Sequence, residues 1–375
     1  MALFEGSLGE PAIDDDPETR REQRRRGLGW ILVLVAIAII GVFAFAPSPY
    51  VIEQPGPVYN TLGTTTTSDD EEVPLISIPD EETFDTEGTL DLLTVSIVGT
   101  PERRPTWADV ALAWVDSSKA VIPIEQVFPS NVTREERDAQ NQAAMLDSQL
   151  DAIAAALVEL DYDVERDVVV QSVAEGSPAE GVFEQGDIVT SVNGEPTLDV
   201  GQLRAAVQLS EGAPVDVTIL RGGTTTDVSV EPVQSSGGAW ILGVGVAMDY
   251  EFPIDVEIQL NNVGGPSAGM MFSLGIIDKL TPGALTGGES IAGTGTIDSS
   301  GVVGGIGGIR QKMYGARDAG AAWMLAPASN CNEVVGHIPV GLRVIPVETL
   351  DEARGVVEQI GEGADAAEFA ECTTG

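Results

Sequence analysis

The chain has 375 residues, 43% of them hydrophobic, and a formal net charge of −40 at pH 7. That length fits two folded domains with additional segments. The acidity argues against nucleic acid, and against an anionic lipid surface, as partners of the soluble part, because phosphates would be repelled. Two cysteines, Cys331 and Cys372, and one histidine, His337, are too few soft ligands for a zinc-type cluster, so neither metal nor cofactor is expected. Only three of the 19 basic residues are lysines, namely Lys119, Lys279 and Lys312. A lysine kept against such a bias points to a task arginine cannot perform, such as giving up its proton.

Residues 1–26 read as a polar cytoplasmic tail and 27–47 as a transmembrane helix. Leu28–Ala46 is uncharged, mostly apolar and long enough to cross a hydrocarbon core of about 30 Å. Arg20, Arg21, Arg24, Arg25 and Arg26 precede it, and the next basic residue is Arg103. This asymmetry places the N-terminus in the cytoplasm and everything after Pro47 outside, giving a single-pass protein of the cell membrane with extracytoplasmic domains. A cleaved signal peptide is the competing reading, since Ala44-Phe45-Ala46 resembles a small-x-small cleavage site. The length of the apolar run and Pro47 just past the cut count against it. In an oxidising compartment Cys331 and Cys372 are expected to form a disulfide that pins the C-terminal tail, with two free thiols as the alternative.

Residues 48–160 read as a juxtamembrane linker, strand and helix region. Positions 48–85 mix Pro, Gly, Thr and acids, which predicts a linker with short strands at best. Gly88–Val98 is β-rich and expected to pair into the last sheet. A helix is predicted from about Thr133 to Leu160, with Ala144, Met145, Leu150, Ile153, Ala156 and Leu157 near helical spacing. Residues 161–235 alternate strand, turn and helix. Residues 236–357 form the last domain, opening with the strands WILGVGVAM and IDVEIQL, and 358–375 are an acidic tail.

Within 161–235, Ser177-Pro178-Ala179 follows a strand, then come Gly186-Asp187-Ile188-Val189, Val192-Asn193-Gly194, a helix and two strands. Pro178 suits a first helical turn, and Asn193-Gly194 supplies the positive φ angles of a tight hairpin. The order resembles a bacterial PDZ domain. The resemblance implies a groove lined by Leu203, Ala206 and Val207, to which a peptide adds as an extra strand. The place where PDZ domains hold a glycine-rich carboxylate-binding loop reads Asp161 to Asp167, with four acids and only Arg166 to offset them. Internal segments, gating or spacing are therefore alternatives to C-terminal recognition.

The last domain carries Asn262-Val263-Gly264-Gly265-Pro266-Ser267-Ala268-Gly269 ahead of an apolar helix. A serine at such a turn lies near free backbone N–H groups able to stabilise an oxyanion, and Gly264 and Gly265 are the candidates for the oxyanion site or for the turn itself. Further on, Gly301–Gly308 leads into Ile309-Arg310-Gln311-Lys312. A lysine there can serve as a general base if burial and a helix N-terminus lower its pKa from about 10.4 to near 7, a change of roughly 4–5 kcal/mol. A pairing of Ser267 with His337 is the other catalytic scheme the residues allow, although VVGHIPVG reads as a loop.

GPSAG and GGIRQK together resemble the proteolytic domain of the Lon family over roughly 239–357. The resemblance implies a Ser267–Lys312 dyad. It also implies that Thr294, in the T-G-x-I strand Thr294–Ile297, supports the lysine by hydrogen bonding. The whole order resembles membrane-bound, PDZ-containing Lon-like serine proteases. The expected fold class is α+β: a Lon-type proteolytic domain, a PDZ-like β-rich domain placed before it, and one N-terminal transmembrane helix. No G-x-x-x-x-G-K-[ST] phosphate loop occurs in the sequence. The implied function is an ATP-independent endopeptidase acting on unfolded or exposed segments of membrane or extracytoplasmic proteins, with protein or peptide substrates as partners. A homo-oligomer is also admitted, because Lon-like domains commonly form rings. The alternative is a non-catalytic membrane-tethered PDZ scaffold.

Overall fold

A computed structural model describes residues 17–67, 70–129, 132–235, 237–260 and 263–373. A long helix α1 (Pro17–Phe45) leads into β1 (Tyr50–Asn60), β2 (Thr89–Val98), a short helix α2 (Trp107–Trp114), β3 (Ala120–Pro123) and the long α3 (Arg134–Glu159). Next come β4 (Glu165–Val173), β5 (Ile188–Val192), α4 (Val200–Leu209), β6 (Val215–Arg221), β7 (Thr224–Val230) and β8 (Val244–Glu251). The last part holds α5 (Gly269–Leu280), β9 (Ser290–Gly293), α6 (Ile309–Asp318), β10 (Trp323–Pro327), β11 (Arg343–Val347) and α7 (Leu350–Gly361).

Two main sheets result. The first runs β11-β10-β9-β2-β1-β3. Its strands β2, β9, β10 and β11 are parallel, and β1 is antiparallel to both β2 and β3. Residues 88–98 thus lie in the centre of the sheet of the last domain. Tyr50–Asn60 joins the same sheet, within the 48–85 stretch that the sequence suggested as a linker. Val51 and Ile52 of β1 are buried, and the strand pairs with β2 along its length apart from a register shift between Pro55 and Val58. Pro55 and Pro57 cannot donate to a ladder, so this central strand carries loop-like residues at a bulge.

The second sheet runs β7-β6-β5-β4-β8, antiparallel throughout. It corrects a second expectation. Val244–Glu251 does not open the last domain; it pairs with β4, from Val244 opposite Val173 to Glu251 opposite Glu165. The PDZ-like sheet therefore closes after β8. Nor does the PDZ-like part precede the protease core. Helix α3, before it, and helix α5, after it, share one hydrophobic core that includes Ala152, Ile153, Leu157, Phe272, Leu274 and Ile276. The second sheet is an insertion into that body. An alternating strand says that it pairs but not with which partner, which is why the boundary escaped the sequence.

Helix α3 begins at a capping box in which the Thr133 hydroxyl and the Glu136 carboxylate exchange hydrogen bonds with each other's backbone. Its core face carries Met145, Ser148, Ala152 and Ala156, while Leu150 is 40% exposed. Small residues let α3 and α5 approach closely: a Cβ at Gly269 would stand 2.9 Å from Ile297 and 3.0 Å from the Ser148 hydroxyl. The Ser273 hydroxyl donates to the Ala152 carbonyl across the same seam, at 2.9 Å.

The C-terminal segment is folded onto the body. Cys331 and Cys372 are bonded to each other. Phe369 is buried edge-on against Trp323, at 5.6 Å between ring centroids, and Arg343 pairs with Glu371.

Two polar contacts join the inserted sheet to the body. Tyr250 of β8 donates to Asp151 of α3, and Arg166 of β4 donates to the Ser299 carbonyl at 2.9 Å. Arg166 is therefore committed to the junction. Burial pushes the Asp151 carboxyl up to about 6, reinforced by Asp147, Asp298 and Asp199 and opposed by the Tyr250 hydrogen bond. A carboxyl with a raised folded-state pKa stabilises the fold when protonated. That contribution is lost as pH rises from the unfolded value near 3.8 through about 6, because the folded state holds the extra proton over that window. Asp151→Asn keeps an acceptor for Tyr250 without the charge. It is expected to raise Tm near pH 8 by about 3 °C and to flatten the dependence of Tm on pH below about 6, read by circular dichroism melts.

Candidate active site

The turn before α5 is held from both sides. On one side, the Gly265 N–H donates to the Asn141 carbonyl at 3.0 Å, and the Ser148 hydroxyl donates to the Pro266 carbonyl at 2.9 Å. On the other, the Ser267 carbonyl accepts from the Gly295 N–H at 3.0 Å and from the Thr294 hydroxyl at 2.9 Å. Gly265 has φ +89°, which a side chain resists, and a Cβ at Gly264 would come within 2.9 Å of Asn141. Both glycines are explained by this turn. Gly265 is corrected as an oxyanion donor, because its N–H is already engaged. Among the described residues, the N–H groups of Ser267 and Ala268, next to the start of α5, donate to no other group.

Helix α6 delivers the lysine. Gly308 caps it with φ +69°, and a Cβ there would meet Val95 at 2.7 Å and the Glu53 carboxylate at 2.9 Å. The helix therefore starts tight against β1 and β2. Lys312 lies one turn in, its N–H donating to the Gly308 carbonyl. Its Nζ lies 2.8 Å from Ser267 Oγ and 2.8 Å from Thr294 Oγ1. Lys312 is 2% exposed and Thr294 fully buried, whereas Ser267 is half-buried and reachable. Burial pushes Lys312 down to about 7, and the negative charge of Glu53 opposes that fall.

Glu53 has no counterpart in the sequence reading. Its carboxyl is pushed above the ordinary range by burial, with the Lys312 charge pulling it down and Glu333 adding to the rise. Buried Gln311 reaches the same place: its amide lies 3.3 Å from the Glu53 carboxylate and 3.3 Å from the Ala120 N–H. Asn141 and Ser148, which hold the serine turn, also went unread. The one cue was Ser148, a small polar residue in the apolar stripe of α3; Asn141 acts through its backbone carbonyl, which any residue would supply.

The remaining sequence candidates lie apart from this cluster. His337 is exposed, with Nδ1 3.0 Å from the Val335 carbonyl. Leu203 and Val207 of α4 line a cavity of about 250 Å³ with Trp240, Leu242, Val244 and Val246. Ala206, expected there too, is not among the residues that line it. The acidic segment 161–167 connects α3 to β4, and the groove wall opposite α4 is formed by residues 240–246. The acids therefore do not occupy the place assigned to them.

Comparison with known proteins identifies the same two kinds of domain, with bounds that differ from the structural division. Residues 259–359 match the Lon protease (S16) C-terminal proteolytic domain, and residues 149–231 match a PDZ domain. Lon protease 2 of Herpetosiphon aurantiacus is 37% identical over 106 residues, covering 26% of this chain and 13% of that protein. Lon protease 2 of Bacillus subtilis is 31% identical over 105 residues, covering 27% and 18%. The chain thus spans less than a fifth of the curated Lon proteases it matches. The crystal structure of the PDZ domain of an SdrC-like protein from Listeria monocytogenes is 20% identical over 21% of this chain and 85% of that one, with a TM-score of 0.20. Its counterpart from Listeria innocua is 22% identical over 21% and 92%, with a TM-score of 0.21. The chain carries a Lon-type proteolytic domain, of the serine-peptidase class, and a PDZ domain. Arg25–Phe45 within α1, with mean hydropathy 2.8, is long and apolar enough to cross a membrane, a description that a signal sequence also meets.

Glu53→Gln removes the charge that favours protonated Lys312. The lysine is expected to titrate below its value of about 7. With only three lysines in the chain, NMR of isotope-labelled lysine side chains reads this directly, Lys119 serving as the internal control. An unchanged Lys312 titration would remove Glu53 from the site.

Proposed function

We propose that this chain is a membrane-anchored, ATP-independent serine endopeptidase in which Ser267 is the nucleophile and Lys312 the general base. The observation that carries the reading is a buried lysine amine 2.8 Å from a reachable serine hydroxyl, with burial holding that amine near pH 7. In its neutral form Lys312 takes the Ser267 proton as Oγ attacks the peptide carbonyl. The tetrahedral oxyanion meets the N–H groups of Ser267 and Ala268. Collapse breaks the C–N bond, Lys312 returns the proton to the leaving amine, and water, deprotonated by the same lysine, releases the acyl group. Thr294 Oγ1 accepts from Nζ and donates to the Ser267 carbonyl, so it positions both partners at once.

In this reading the substrates are segments of membrane or extracytoplasmic proteins that are unfolded, short or exposed. The PDZ-like groove supports a part in substrate binding. Strand β8 is an edge strand of its sheet, and α4 lies beside it across an apolar cleft. An extended peptide can add there by backbone pairing. At one end of the cleft Gln208 bonds both the N–H and the carbonyl of Trp240, which marks where an added strand would stop.

Ser267→Ala and Lys312→Ala are expected to lower cleavage of an unfolded substrate by about a thousandfold or more with the fold intact. Lys312→Arg should be as inactive, because arginine retains its proton. Thr294→Ala should cost about tenfold through misplacement of the dyad, and His337→Ala should leave activity unchanged. Retained activity in Lys312→Arg, or loss in His337→Ala, would overturn the dyad. Activity of the parent chain should rise with pH through about 7 and then level off, as the neutral lysine becomes the resting form.

A further inference from the structure

The chain that leaves α1 returns to its end. Pro47 bridges Thr106, the Trp107 N–H donates to the Ala46 carbonyl at 3.2 Å, and the Ser48 N–H donates to the Pro105 carbonyl at 2.8 Å. Helix α2 is thereby fixed where the apolar span ends, and Tyr50 of β1 packs edge-on against its Trp107 at 5.8 Å. A Thr106–Asp109 capping box starts the helix. Val110 and Ala113 are buried on one face, at 0% and 2% exposed. Leu112 and Val115 lie on the opposite side, 69% and 83% exposed, and Trp114, the last residue of the helix, stands on the flank at 63% exposed. A soluble protein rarely leaves its largest apolar side chains in water on so short an amphipathic element.

Charge supports the same corner as a place that meets a surface. The whole chain is at −40, which disfavours approach to phosphates. Around α2, however, Arg103, Arg104 and Lys119 balance Glu102, Asp109 and Asp116, so the general repulsion does not apply locally. Arg103 and Arg104 are exposed in the turn before the helix. Tryptophan and arginine beside the end of an apolar span are the residue types that settle at a bilayer's headgroup level.

We propose that α2 is an interfacial helix. Leu112, Trp114 and Val115 enter the boundary between headgroups and acyl chains of the bilayer that α1 crosses, with Arg103 and Arg104 at the lipid phosphates. The inference rests on the membrane-anchored reading above. It adds a second attachment, which turns a protease on a one-helix tether into one held at a set height and tilt, so that its cleft addresses substrates close to the lipid surface.

The test reconstitutes the full chain in vesicles of phosphatidylcholine and phosphatidylglycerol brominated at shallow or deep acyl positions, and reads tryptophan quenching. The chain has five tryptophans. Variants keep one each, Trp30, Trp114 or Trp323, with the others changed to Phe and the fold checked by circular dichroism. Trp30 and Trp114 should be quenched, Trp114 most by the shallow bromines, and Trp323 should be untouched. Adding Leu112→Ser and Val115→Ser to the Trp114 variant should remove at least half of its quenching while leaving Trp30 unchanged in its own background. If Trp30 is quenched and Trp114 behaves like Trp323, the interfacial helix is wrong and the anchor stands. If Trp30 is not quenched, the anchor itself fails and the inference with it. If Trp114 shifts to the blue with protein concentration in detergent and stays unquenched in vesicles, a second copy covers α2 and the inference is overturned.

Discussion

The site depends on keeping a lysine out of water. Moving Lys312 from 10.5 to about 7 means withholding solvent worth on the order of 4–5 kcal/mol from the charged form. Almost every local feature serves that exclusion. Gly308 lets α6 start within contact of β1 and β2, where a Cβ would meet Val95 and Glu53. Thr294 gives the amine a neutral partner in place of an anion. Glu53, the one carboxylate that favours the charged form, is not bonded to the amine and is itself held above its ordinary range by the same burial. A direct ion pair at that position would keep the lysine protonated and useless as a base.

The serine is placed by packing rather than by its own loop. Its turn hangs between α3 and the segment around Thr294, through Asn141 and Ser148 on one side and Gly295 on the other. That arrangement requires α3 and α5 to lie close, and the small residues Ser148, Ala152, Gly269 and Ser273 along their seam permit it. A side chain at Gly269 would press on Ile297 and on Ser148, and through Ser148 on the turn that carries Ser267.

Ser267, Lys312 and Thr294 were legible because each sits in a glycine-rich or otherwise distinctive run of sequence, and short motifs are local. What was not legible is non-local. Glu53 is one acid in a stretch whose prolines and glycine look like a linker, and only the pairing of β1 with β2 brings it near the lysine. Strand β8 has the right alternation for a strand and nothing to say that β4 is its neighbour. The PDZ resemblance pointed to Leu203, Ala206 and Val207 together, and of these Leu203 and Val207 line the cavity beside β8. Arg166 looked like a counterweight to acids and proved to be a bolt between domains.

The insertion of the PDZ-like sheet between α3 and α5 also dictates an order of events while the chain is being made. The inserted unit is contiguous, and once β8 has followed β4 out of the ribosome all its strands are present, so it can fold before the body around it. The body around it must wait. Helix α3 has its apolar face ready long before α5 arrives to cover it, and β2 must keep an open edge until β9 is synthesised. Until then Ser267, Lys312 and Thr294 are strung along unassembled chain. The inserted domain can therefore be complete while the cluster of these three residues does not yet exist.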